Sequence, residues 1–85
     1  MGKVLLNLKV RPESPDVELN KIKDKIKSKL DIVKEIKEKE LAFGMKELHV
    51  LLMFKEEPGG TDKYENIVKD IEGVKSVETG EITLL

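Results

Sequence analysis

Asp31-Ile32-Val33-Lys34-Glu35-Ile36-Lys37-Glu38-Lys39-Glu40-Leu41-Ala42-Phe43 is the stretch on whose reading the fold depends. By propensity alone its lysines and glutamates extend the preceding helix as far as Ala42. Periodicity argues otherwise. The apolar rhythm lapses after Val33, and Ile36, Leu41 and Phe43 share no helical face. An edge strand studded with Lys and Glu accounts for the same letters, because edge strands carry charge to block stray pairing. The sequence that follows needs such a neighbour. Leu48, Val50, Leu52 and Phe54 alternate with Glu47, His49, Leu51 and Met53, a run largely apolar on both faces, as in a central strand. Residues 31–43 are therefore expected to be extended, joined to the next strand by a tight connection at Phe43-Gly44-Met45.

Upstream, Val4, Leu6, Leu8 and Val10 alternate with Leu5, Asn7, Lys9 and Arg11, a period-two strand that Pro12 ends. Ser14 before Pro15 suits a helix N-cap with proline at the first helical position, and Leu19, Ile22, Ile26 and Leu30 then define one buried stripe. Downstream, Glu56-Glu57-Pro58-Gly59-Gly60 reads as a loop. Thr61 or Asp62 is placed to cap a second helix, with Glu65 in the capping-box position after Asp62. Tyr64, Ile67, Val68 and Ile71 form its core stripe, and Gly73 stops it in the left-handed conformation. Val74, Val77, Thr79, Ile82 and Leu84 belong to a last strand, where Gly80 marks a bulge.

The order is β-α-β-β-α-β. Right-handed crossovers put both helices on one face of a four-stranded antiparallel sheet whose first and third strands are central. The expected class is α+β, a ferredoxin-like sandwich, with residues 1–85 forming one domain. The architecture hosts many unrelated functions and names none. It does leave one sheet face uncovered, where Leu5, Leu51 and Met53 would lie together as an apolar contact surface.

A chain of 85 residues buries roughly 60–65% of the surface it exposes when unfolded, so its core is a thin double layer without a deep cavity. Cysteine is absent, which removes disulfides, thiolate metal sites and thiol nucleophiles together. No apolar run approaches the length of a membrane span, and the N-terminus reads neither as a secretory signal nor as a myristoylation site. The expected compartment is the cytoplasm. Hydrophobic and charged residues each make up 39%, with Lys and Glu dominant and Arg11 the sole arginine, a composition suited to high temperature. The net charge of −1 does not mark a nucleic-acid binder, and the lysines from Lys21 to Lys29 have no interleaved aromatics.

Catalytic chemistry is hard to find. His49 is the only histidine, mid-strand with Glu47 on the same face, and reads as a surface or partner-facing residue. The acids are scattered, with no pair set apart for acid–base work and no calcium-loop spacing, so neither a catalytic site nor a metal is expected. Gly59-Gly60-Thr61 lacks the rest of a phosphate-binding loop. A regulatory or oligomerising module that binds a small ligand between protomers fits such a chain. So does a protein that acts only through contact surfaces. RNA recognition fits poorly, because Phe54, the one aromatic on the central strands, falls on the core side.

Four strings carry a resemblance. Ala42-Phe43-Gly44-Met45-Lys46-Glu47-Leu48 resembles the aromatic-Gly-aliphatic-Lys-x-Leu segment between the second and third strands of the elongation factor 1-beta guanine nucleotide exchange family. Pro58-Gly59-Gly60-Thr61-Asp62 resembles that family's entry to its second helix, and Val10-Arg11-Pro12-Glu13-Ser14-Pro15-Asp16 the opening of its archaeal members. With Ile71-Glu72-Gly73-Val74-Lys75-Ser76-Val77 the likeness spans nearly the whole chain. It implies a stand-alone factor, monomeric when alone, that binds elongation factor 1-alpha and promotes GDP release without a cofactor. It also implies Phe43, Gly44 and Lys46 as partner contacts, beside Leu5, Leu51 and Met53 from the face argument. Eukaryotic members carry a penultimate lysine directed at the magnesium site of the GTPase. Here the sequence reads Ile82-Thr83-Leu84-Leu85, a departure that puts displacement of magnesium by a terminal cation in doubt.

Overall fold

Strand β1 (Lys3–Pro12) runs through the middle of the sheet because four of its alternate side chains are fully apolar. In the computed structural model, which describes residues 2–85, Val4, Leu6, Leu8 and Val10 are buried and the residues between them are half-buried. Helix α1 (Leu19–Lys29), strand β2 (Val33–Glu40), strand β3 (Lys46–Lys55), helix α2 (Gly60–Lys69) and strand β4 (Val74–Leu84) follow. The sheet order is β2-β3-β1-β4 with every neighbouring pair antiparallel, which makes the ferredoxin-like βαββαβ topology. Of the disputed stretch, Val33–Glu40 is an edge strand, while residues 31 and 32 turn into it and Ala42–Gly44 forms a 3₁₀ turn where the hairpin reverses. The strand's helix-forming residues yield to the ladder, where Ile36 faces Val50 and Glu38 faces Leu48. Tertiary pairing overrides propensity here because β3, apolar on both faces, would otherwise expose its backbone.

Ile22 and Ile26 of α1, Val68 of α2 and Ile71 just beyond it close the core over Leu6, Leu8, Leu48, Val50 and Leu52. Phe54 packs on Tyr64 with ring centroids 4.6 Å apart. The helix boundaries differ from the sequence expectation. Helix α1 begins at Leu19, not Pro15, because residues 13–18 are spent crossing from the sheet to the helix layer. There the Val17 N–H bonds to the Ser14 carbonyl and Val17 packs against the core. Helix α2 begins at Gly60, after Gly59 in the left-handed region, and no side chain caps it. Glu65 therefore sits one turn further in and accepts a hydrogen bond from the Thr79 hydroxyl at 2.8 Å instead of closing a capping box. The helix ends at Lys69, and Gly73 (φ 93°) turns the chain into β4 after one more loop of backbone. Gly80 lies in a bulge, since Leu6 pairs with Ile82 but Leu8 with Thr79, leaving Gly80 and Glu81 opposite Asn7.

Candidate functional site

The register fixes which side chains share the sheet face away from the helices. Leu5 stands opposite Met53, and Leu51 opposite Asn7, so Leu5, Leu51 and Met53 do adjoin on two central strands, all half-buried. Toward the other end of the face Lys9 stands opposite His49, which in turn faces Lys37 on β2.

Phe43, Gly44 and Lys46 lie at the tip of the β2–β3 hairpin. A single 3₁₀ turn spans Ala42–Gly44, closed by the Leu41 N–H to the Met45 carbonyl at 2.7 Å. Phe43 sits in the left-handed region (φ 63°, ψ 33°) with its side chain 98% exposed. Non-glycine residues there carry roughly 1–2 kcal/mol of steric cost, and an exposed ring recovers none of it by burial. Below the tip, a groove of about 270 Å³ is lined by Gly44, Lys46, Glu38, Pro12, Pro15 and Leu19 among others. The Lys23 ammonium, 2.9 Å from Glu38, hydrogen-bonds that carboxyl and holds it below its usual value, with the charge of Lys46 adding to the effect. The structure thus makes two groups of the six predicted contacts. Lys46 and Leu51 are about 17 Å apart along β3, at about 3.4 Å per residue, and their odd spacing puts Lys46 on the helix side and Leu51 on the uncovered face.

Between the two groups lies a feature that sequence reasoning missed. Glu47 is the one buried charged residue among those described, only 4% exposed, although it belongs to the uncovered face. Its Oε2 accepts from Arg11 Nε at 3.3 Å and its Oε1 meets His49 Nε2 at 2.8 Å. An ionised carboxylate only accepts, so this bond places the imidazole proton on Nε2. Burial pushes the Glu47 carboxyl up, but the hydrogen bonds from His49 and Arg11, with their charges, outweigh it and hold the group below its ordinary value of 4.5. Two signals pointed here without being joined: the sole arginine, and an acid between core positions of a central strand. Only the register brings them together.

A carboxyl depressed on folding stabilises the fold above its unfolded value, and that stability is lost as pH falls through the lower folded value. Glu47→Gln is therefore expected to cost about 1–3 kcal/mol at pH 7. The deficit should shrink as pH falls from 4.5 through the lower folded value, where the parent's own carboxyl protonates. Urea denaturation at neutral and acid pH measures both; a deficit equal at the two would show that the charge of Glu47 contributes nothing.

Two more observations complete the surface. Ile82 and Leu84 lie on the helix side by register, opposite Leu6 and Val4, yet are 49% and 67% exposed, so the far end of β4 is an apolar edge that the core does not absorb. No cluster of three His, Asp or Glu side chains able to hold a metal occurs among the described residues, and no helix of theirs is long and apolar enough to cross a membrane.

Comparison with known proteins supplies the family. Residues 5–85 match the profile of the EF-1 guanine nucleotide exchange domain. The chain belongs to that family. It is similar to the elongation factor 1-beta of Methanosphaerula palustris, 42% identical over 84 residues and 99% of each chain. That of Methanocaldococcus jannaschii is 36% identical over 88 residues, again 99% of each, and that of Staphylothermus marinus 43% identical over 82 residues, 92% of this chain and 91% of the relative. Among solved structures, the ACT domain from the GTP pyrophosphokinase of Chlorobium tepidum superposes with a TM-score of 0.63 over 92% of this chain and 99% of that one. At 18% identity that likeness bears on the ferredoxin-like fold alone. The activity of the exchange domain is guanine nucleotide exchange in translation elongation.

Proposed function

We propose that this exchange domain binds the GTPase elongation factor 1-alpha as a monomer and accelerates GDP release by holding the nucleotide-free form. The hairpin tip with Phe43, Gly44 and Lys46 makes the principal contact, and Leu5, Leu51 and Met53 on the uncovered face form a second contact group. The supporting observation is Phe43, a fully exposed aromatic in a costly backbone conformation. Such an outlier argues for a role outside the fold's own stability.

Exchange asks for no nucleophile, base or metal from this chain. A protein that prefers the nucleotide-free GTPase weakens GDP by the same factor by which GDP weakens it. Surfaces suffice, and they need only be rigid and correctly aimed. Dissociation of labelled GDP from elongation factor 1-alpha, with and without the domain, tests the reading. The release rate should rise by about tenfold or more at saturation, within the usual range of coupling between sites. An unchanged rate at saturating domain would sink it.

A further inference from the structure

The β2–β3 hairpin overhangs the rest of the sheet. Its ladder runs to Glu40 opposite Lys46, whereas the β1–β3 ladder stops at Val10 opposite Leu48. Beyond that pair β1 parts from β3 but stays on β4, pairing Arg11 with Ser76 and Pro12 with Val74 across a register shift. One step past the last β1–β3 pair stand Arg11 and Glu47, and there the carboxylate–guanidinium bond takes the place of the missing ladder. His49, two residues along β3, grips the other carboxylate oxygen. Both carboxylate oxygens are thus engaged, one by β3 itself and one by β1, and the Arg11 bond ties the base of the overhang to β1. A buried charge is an expensive way to join two strands, and its best-attested return is a unique geometry.

We propose that Glu47, clasped by Arg11 and His49, is a positioning residue for nucleotide exchange, holding the hairpin so that Phe43 points at the GTPase. Too deeply buried to be a contact surface, Glu47 acts through the tip. The proposal rests on the reading of Phe43 as a partner contact.

A double-mutant cycle separates positioning from general support of the fold. Catalysed GDP release is measured for the parent, Glu47→Gln, Phe43→Ala and the double variant, at a temperature where thermal melts show all four folded. Glu47→Gln should raise the half-saturating concentration about tenfold in the parent background, and by less than about twofold once Phe43 is gone, because a tip without its ring has nothing left to aim. Equal factors in the two backgrounds, or normal exchange by Glu47→Gln beside a defective Phe43→Ala, overturn the proposal while the contact reading stands. Normal exchange by Phe43→Ala removes both. Should Glu47→Gln not fold, Arg11→Gln cuts the same clasp from a half-exposed side chain and is read in the same cycle.

Discussion

Phe43→Ala is expected to weaken binding to elongation factor 1-alpha by about 2 kcal/mol or more, on the order of thirtyfold, while leaving the melting temperature nearly unchanged. Both halves follow from where the ring is. It touches almost nothing in its own chain, being 98% exposed, so its removal leaves no cavity. A buried phenylalanine would instead cost roughly 3–5 kcal/mol of stability. Phe43→Gly sharpens the test. Glycine occupies φ near 63° without steric cost, so this variant should match or slightly exceed the parent in stability, by up to about 1 kcal/mol, and still exchange poorly. A Phe43→Ala protein that melts far below the parent yet exchanges normally at low temperature would place the ring in the core and the interface elsewhere.

The alternation of apolar residues carried most of the fold. Leu48 to Phe54 are largely apolar on both faces, so they announce a central strand and demand neighbours, and that demand decides Val33–Glu40 against its helical propensity. The helix starts were less legible. Ser14-Pro15 and Thr61-Asp62 are good capping chemistry, but the chain needs residues 13–18 to reach the helix layer with Val17 in contact with the core, and Gly59 lets the second helix start before its caps. Local preference yields where a crossing between layers has a minimum length.

The exposure of the hairpin tip was legible in the sequence, and the side-chain bonding at its base was not. Phe43-Gly44 stands out in the sequence because an aromatic beside a glycine at a hairpin tip has no core to enter. The Glu47 clasp depends on a partner 36 positions away, and no periodicity connects Arg11 to Glu47. The exposed Ile82 and Leu84 mislead in the other direction. They alternate like core residues and pair with buried Val4 and Leu6, yet lie 49% and 67% open, so alternation reports the face of a sheet and not whether a helix covers it.

Leu8→Ala and Leu5→Ala put that distinction to the largest stability test the fold offers. Leu8 is fully buried on β1 between Val50 and Thr79, and its truncation should cost about 2–5 kcal/mol. A domain of this size has a total stability on the order of 5–10 kcal/mol, so the variant should sit near the edge of folding. Leu5 belongs to the same strand and the same residue type, but it stands opposite Met53 on the uncovered face and is half-buried. Its truncation should cost about 1 kcal/mol or less in stability. The loss should appear instead as weaker binding of the GTPase, since the proposed contact surface includes Leu5. Because side chains alternate strictly along a strand, a register slipped by one residue would exchange the two results. Urea denaturation of both variants, paired with GDP-release measurements on Leu5→Ala, therefore checks the sheet register and the second contact group together. Equal destabilisation by the two substitutions would contradict the assignment of faces, and full exchange activity in a stable Leu5→Ala protein would confine the interface to the hairpin tip.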